Sequence, residues 1–396
     1  MRKKSVLGAC LAAALAAVGC QDRAVTAPGA PRAAKSAAAA ATVPAARTPD
    51  TMDRAQARFR AADAGFGLAS KRAINPDDYQ CSDQSPINTW YLNQLIDAAT
   101  RNPDQFWTLW SIGADRMPDY DAYAFGQPGK AQQSFGYTGA YTNAVLRTER
   151  DVKRFWDIPS AAIRTVAMHG TMLADSARVD RDYQVIYGFP ADWAAAWAGL
   201  MSTSVRQAPA LNGGNHPFFT FNATSFPAYR DSTLDLSPAV VMGDGILEGY
   251  AAVGFADVAP QAIYAHEYGH QIQFANGYFN DPIPQAAEVP AEQTMYTELM
   301  ADAYSAYYLT HSRGAAMNRH RVAEFLQVFF QIGDCEFYFA GHHGTPNQRM
   351  RAAQFGFDVA DQAQKQGHIL TSAQFHDLFV AAYPKITAPD AVAAAQ

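Results

Sequence analysis

The sequence predicts an α+β fold, and three observations predict it. Two long segments, Gln261 to Asn276 and Pro290 to about His311, place apolar and small side chains at helical spacing. Short apolar runs closed by Gly or Pro, such as Ala162 to Met168 and Pro238 to Met242, read as strands. No repeat of fixed period runs through the 396 residues, whose length allows two domains.

From the N-terminus, Arg2, Lys3 and Lys4 form a charged head, and Val6 to Val18 is apolar but too short to span a membrane. Ala17-Val18-Gly19-Cys20 closes it, so residues 1–20 read as a lipoprotein-type export signal with Cys20 as the lipidated residue. Ordinary cleavage without lipid is the alternative. By resemblance to bacterial sorting rules, Gln21 after the Cys favours the outer membrane. The expected location is the bacterial cell envelope, with a secreted protein if no lipid is added. Residues 21–50 are Ala, Pro, Ser and Thr with few large apolar side chains and read as a flexible tether. Cys81 and Cys335 then remain, and an oxidising compartment makes a disulfide between them the expectation.

Residues 51–145 form an N-terminal region of mixed structure. Arg54 to Ala73 and Thr89 to Ala99 are candidate helices, and Tyr120 to Tyr141, rich in Gly, Tyr, Phe and Gln, is an irregular packed loop or an aromatic sugar-binding surface. Residues 146–387 are the main domain, followed by a tail, 388–396. In it Ala162 to Met168 and Tyr183 to Tyr187 read as strands and Pro190 to Val205 as a helix. His216 to Phe221 and Pro238 to Met242 read as further strands, the latter ended by Gly243-Asp244-Gly245. The 238–248 segment is the candidate edge strand for an extended ligand. His169 and His216 lack ligand-spaced partners and read as structural. The charge balance is mildly acidic, 31 basic against 37 acidic residues with no basic run, so nucleic acid is not an expected partner.

The chemistry concentrates in His266-Glu267-Tyr268-Gly269-His270. On a helix, residues four apart share a face, so both imidazoles can bind one metal ion, with Glu267 one step round. Asp257 and Pro260 mark the helix start and Asn276-Gly277 its stop. A third protein ligand is needed, and Asp281, Glu288, Glu292, Glu298 and Asp302 are the candidates downstream. Pro290 opens the second helix, on which Glu298 and Asp302 lie one turn apart beside the small Ala301 and Ser305. This layout makes Glu298 the ligand and Asp302 the acceptor that fixes a ligating His. Glu288 and Glu292 read as helix-start charges favoured by the dipole.

Ala265-His266-Glu267-Tyr268-Gly269-His270-Gln271-Ile272-Gln273, with Glu298-Leu299-Met300-Ala301-Asp302, resembles the gluzincin metallopeptidases. More narrowly it resembles the bacterial neutral zinc metallopeptidase family. Ile332-Gly333-Asp334, His343-Gly344-Thr345-Pro346-Asn347-Gln348-Arg349 and Phe355-Gly356-Phe357 match further segments of that family. The resemblance covers roughly residues 240 to 360. It departs at Ala303 and at Cys335, where the family often has Cys and Asp.

The resemblance implies a zincin-like catalytic domain that holds one Zn2+ on His266, His270 and Glu298, with Glu267 as general base in hydrolysis of a peptide or protein substrate. An oxyanion donor is also expected. His343 is preferred, with Tyr304, Tyr296 and the neighbouring His342 as alternatives. Two rival functions stand beside this one: a surface-tethered binding protein with a structural or blocked zinc core, and a zinc hydrolase acting on cell-wall bonds.

Overall fold

The computed structural model describes residues 85–127, 133–287, 290–332, 343–366 and 368–390. The expectations for the export signal, Cys20, the tether, the Arg54–Ala73 helix, Cys81, Glu288, Cys335 and His342 fall outside these residues.

Helices dominate and a small sheet carries the rest, in keeping with an α+β chain. Among the described residues, four helices come first: α1 (Pro86–Arg101), α2 (Pro103–Ser111), α3 (Met117–Phe125) and α4 (Thr142–Phe155). α1 starts at Ser85, whose side chain accepts from the Asn88 N–H, with Pro86 at the first helical position. α3 is a departure from the sequence reading, because the first part of the expected irregular loop is helical. Met117, Pro118, Asp121, Ala122 and Tyr123 are its buried positions, two groups about one turn apart.

Strand β1 (Arg164–Met168) lies within the segment expected for it. Helices α5 (Ser176–Val185) and α6 (Ala191–Arg206) follow. The second of these was expected. The first corrects the reading of Tyr183 to Tyr187 as a strand. Asp175 caps this helix by accepting from the N–H groups of Ala177 and Arg178, and Val179, Asp182 and Tyr183 are buried on one helical face. His216 to Phe221 is corrected in the same way. Pro217 presets the backbone for the one-turn helix α7 (Pro217–Thr220), and the His216 ring accepts from the Phe218 N–H at 3.1 Å.

The remaining strands are β2 (Ala223–Phe226), β3 (Tyr229–Arg230), β4 (Asp235–Leu236) and β5 (Ala239–Gly243). The three-stranded sheet has the order β1-β5-β2, with β1 parallel and β2 antiparallel to β5. This overturns the choice of the 238–248 segment as the edge strand. β5 is buried at every position and sits in the centre, and β1 and β2 are the two edges. Residues 244–248 are not extended either, since helix α8 (Asp244–Ala252) starts directly after the strand.

The long helix α9 (Ala259–Asn276) begins with Pro260 in its first turn and ends at Gly277, whose φ of 75° closes the helix in the left-handed region. The expected Asp257 cap is not made, and Val258 holds that position. The short α10 (Pro282–Ala286) leads to α11 (Pro290–Thr310), α12 (Arg319–Ile332), α13 (Pro346–Gln366) and α14 (Ser372–Ile386). One contiguous hydrophobic core runs from Ile87 to Ile386, so residues 85–145 share it with the elements that follow. Among the described residues, no helix is long and apolar enough to cross a membrane.

Two glycines set the spacing of the three helices that matter most. A Cβ on Gly269 of α9 would lie 2.9 Å from the Ala301 Cα of α11, and one on Gly356 of α13 would lie 2.3 Å from the Ala303 carbonyl of α11. Only residues without a side chain permit these approaches. They bring both neighbouring helices onto α11.

His216 yields a prediction about acid stability. Burial depresses its pKa from 6.5 to about 4. The folded state therefore holds the ring neutral, and the unfolded chain protonates it first. Stability is fully present above pH 6.5 and is lost as the pH falls toward 4, by about 3 kcal/mol if the whole difference is realised. His216→Asn keeps a cap acceptor for Phe218 without the titration. In denaturant titrations at pH 7 and pH 4.5, the variant is expected to lose less stability than the parent, and equal losses would refute the assignment.

Candidate metal centre

The site is built from α9, α11 and the start of α13. Helical spacing puts His266 and His270 on one face of α9, and the close approach at Gly269 lets Glu298 of α11 reach both. The two Nε2 atoms are 3.2 Å apart. Glu298 places Oε2 3.2 Å from His266 Nε2 and Oε1 3.3 Å from His270 Nε2. A tetrahedral ion with bonds of about 2.0 Å separates its donors by about 3.3 Å. His266, His270 and Glu298 thus form a buried group able to hold a metal ion.

The hydrogen bonds behind the ligands show what the inward atoms are. His266 Nδ1 lies 2.9 Å from Asp302 Oδ1, so it carries the hydrogen and donates it. His270 Nδ1 lies 3.0 Å from Gln273 Oε1, and the Gln273 amide nitrogen donates to the Thr297 carbonyl at 2.6 Å, which fixes the amide's orientation. Both Nε2 atoms therefore point lone pairs inward. Both Glu298 oxygens are sealed from solvent and receive no well-directed N–H. Acceptors converging in a dry interior repel one another, and a cation removes that cost.

Charge balance leads to the same demand. Glu267, Glu298 and Asp302 are buried with a single guanidinium, Arg349. Counted as anions, the carboxylates exceed it by two charges, which one divalent ion neutralises. Without an ion, a proton can offset part of that excess. Burial opposes charge on His266, yet the neighbouring carboxylates of Asp302 and Glu298 outweigh it and raise the ring's pKa above the ordinary imidazole value. Burial would likewise favour neutral Glu298, but His270 and His343 hold its carboxyl well below the usual range.

The structure brings together most of the residues picked from sequence. Glu267 lies on α9 one residue after His266, and His343 is buried close enough for its charge to act on Glu298. Asp302 bonds His266, as expected of it. The other candidates are engaged elsewhere. Tyr304 donates to the Ser372 carbonyl, and Tyr296 donates to Asp281, which also meets His376. Asp281 is therefore no ligand, and neither tyrosine faces the centre as a free donor. Glu292 sits in the first turn of α11, where the helix dipole favours it. His169 bonds Asp244 at 2.6 Å, in line with its structural reading.

Sequence reasoning gave no role to Gln273 or Arg349. Gln273 follows His270 by three residues on the same helix, which was a legible signal. Gln271 was also passed over. Its amide donates to Ser225 Oγ, the Phe226 carbonyl and the Ala239 carbonyl, tying α9 to the neighbouring strands β2 and β5. Asn222, just before β2, and Thr224, on its other face, donate to Asp119. Burial foremost raises the Asp119 carboxyl to about 7, and Glu267 adds to the rise.

Comparisons with protein-family models, with curated protein sequences and with solved structures return no match to this chain.

Proposed function

We propose that the chain is a zinc-dependent metallopeptidase of gluzincin type, an endopeptidase, with a zincin-like arrangement of α9 and α11. The observation that carries the reading is the three-cornered donor set, spaced at 3.2–3.3 Å, with Glu267 on the same helix. Two imidazoles and a carboxylate suit zinc, and a fourth position remains for water, as catalytic sites require. When bound, such an ion makes coordinated water more acidic and polarises a carbonyl group.

The chain's own residues supply the rest. Glu267 accepts the proton of the attacking water and passes it to the leaving amine. Asp302 and Gln273 hold the two imidazoles in the tautomer that faces inward. His343, whose charge acts on Glu298, would donate to the oxyanion. β2, the one of the two edge strands that Gln271 fastens to α9, is the element along which an extended peptide would align. The export signal and Cys20 anchor belong to the same proposal, of a peptidase tethered in the cell envelope.

One observation favours a second reading. His266, Glu267, His270 and Glu298 are each at most 3 % exposed, so a polypeptide needs an opening to reach them. A structural ion in a tethered binding protein needs none. Metal content and casein hydrolysis by the full chain separate the two readings. Zinc at one equivalent with hydrolysis supports the peptidase, zinc without hydrolysis favours the structural ion, and no metal overturns both.

A further inference from the structure

Arg349 is the largest fully buried side chain in the described part of the protein, and no step of the proposed reaction uses it. It stands in the first turn of α13, a helix held against α11 by the contact at Gly356. Its partners are all polar. Nε donates to Asp302 Oδ2 at 2.7 Å and Nη2 donates to Asp302 Oδ1 at 2.6 Å, a two-pronged contact that fixes the plane of the carboxylate. The same Nη2 lies 3.7 Å from Glu298 Oε2 and 3.4 Å from His266 Nδ1.

We propose that Arg349 is a positioning residue of the metal centre, acting through Asp302 to hold His266 with its Nε2 lone pair aimed at the ion. The inference rests on the reading of His266, His270 and Glu298 as a metal site. The physical case begins with Asp302 Oδ1, which accepts from Arg349 and from His266 Nδ1 at once. A carboxylate held only by the imidazole could rotate about its Cβ–Cγ bond and carry the ring's orientation with it. The guanidinium fork removes that freedom.

Arg349 also lets two acidic groups on adjacent turns of α11 remain close together. Its charge lies against Asp302 and within reach of Glu298, so the second carboxylate does not compel the first to turn away. A buried ion pair kept only for stability would gain little, because desolvation consumes most of the attraction. A pair that fixes a ligand's orientation has a reason to be there. Lys in place of Arg supplies the charge as a point without the planar fork.

The test uses the full chain and four variants: R349M, R349K, D302N and D302N/R349M. Zinc affinity is read by chelator competition, ligand geometry by the visible absorption of the cobalt-loaded protein, and folding by circular dichroism. R349M is expected to bind zinc about 10- to 100-fold more weakly, with an altered cobalt spectrum. R349K is expected to fall between R349M and the parent. In the D302N background R349M should cost little more, because its effect passes through Asp302. A purely structural arginine would lower thermal stability and leave the cobalt spectrum unmoved.

Parent-like affinity and spectrum in R349M overturn the proposal, as does an undiminished R349M effect in the D302N background. If R349M does not fold, R349K decides, and a parent-like affinity and spectrum there overturn the role of the fork. A parent chain that takes up neither zinc nor cobalt overturns the metal centre itself. Metal uptake that is indifferent to Arg349 overturns this inference alone.

Discussion

Glu267→Gln is expected to leave the metal content of the chain largely unchanged and to lower peptide hydrolysis by about 10²- to 10⁴-fold. The amide keeps the volume of a fully buried side chain and cannot accept the proton. Ala would be the poorer variant, because it opens a space beside the ligands and confounds chemistry with packing. Glu267 is adjacent to His266 in sequence, but it belongs to no part of the donor set. Its removal therefore separates holding the ion from using it. Zinc content, circular dichroism and initial rates on a peptide substrate are the measurements. A Gln variant with full activity would sink the assignment of the general base, and one without zinc would show Glu267 to be part of the binding set.

The second large effect is at Glu298. Glu298→Ala removes the only carboxylate of the donor set and leaves two imidazoles on one helix, too few to complete a site. Zinc affinity should fall by orders of magnitude, and with it the stabilisation that binding confers. That stabilisation is about 4 kcal/mol when free ion stands at a thousand times its Kd. A chelator should lower the melting temperature of the parent and scarcely change that of the variant. Equal chelator responses would contradict the ligand assignment.

The pH dependence of metal uptake follows from His266. Its pKa is raised in the ion-free chain, so a proton competes for the site. Affinity should be highest above that raised value and fall as acid drives the proton on.

The metal motif was legible because its chemistry is local. His266 and His270 need only one helix, and Pro260, Gly277 and Pro290 mark the ends of the two helices involved. Glu298 and Asp302 were legible from their one-turn spacing. The strand errors were of another kind. Tyr183 to Tyr187 and His216 to Phe221 are short apolar runs, for which period alone does not separate strand from helix. The Asp175 cap and Pro217 decided both cases. The place of β5 in the sheet could not be read from its own residues, because strand order is a property of pairing. Arg349 stands 47 residues beyond Asp302, and nothing in its neighbourhood names that partner. Only the docking of α13 on α11 does.

The burial of the donor set has a kinetic consequence. An ion enclosed by residues at most 3 % exposed cannot be taken stepwise by a competing ligand from outside. Release waits for the helices to part, an event governed by the local opening free energy of the fold rather than by the strength of the bonds to the ion. The protein would then behave as a slow exchanger, whose rate of ion loss levels off as scavenger is added. Its metal content would record the conditions at loading rather than those of the moment.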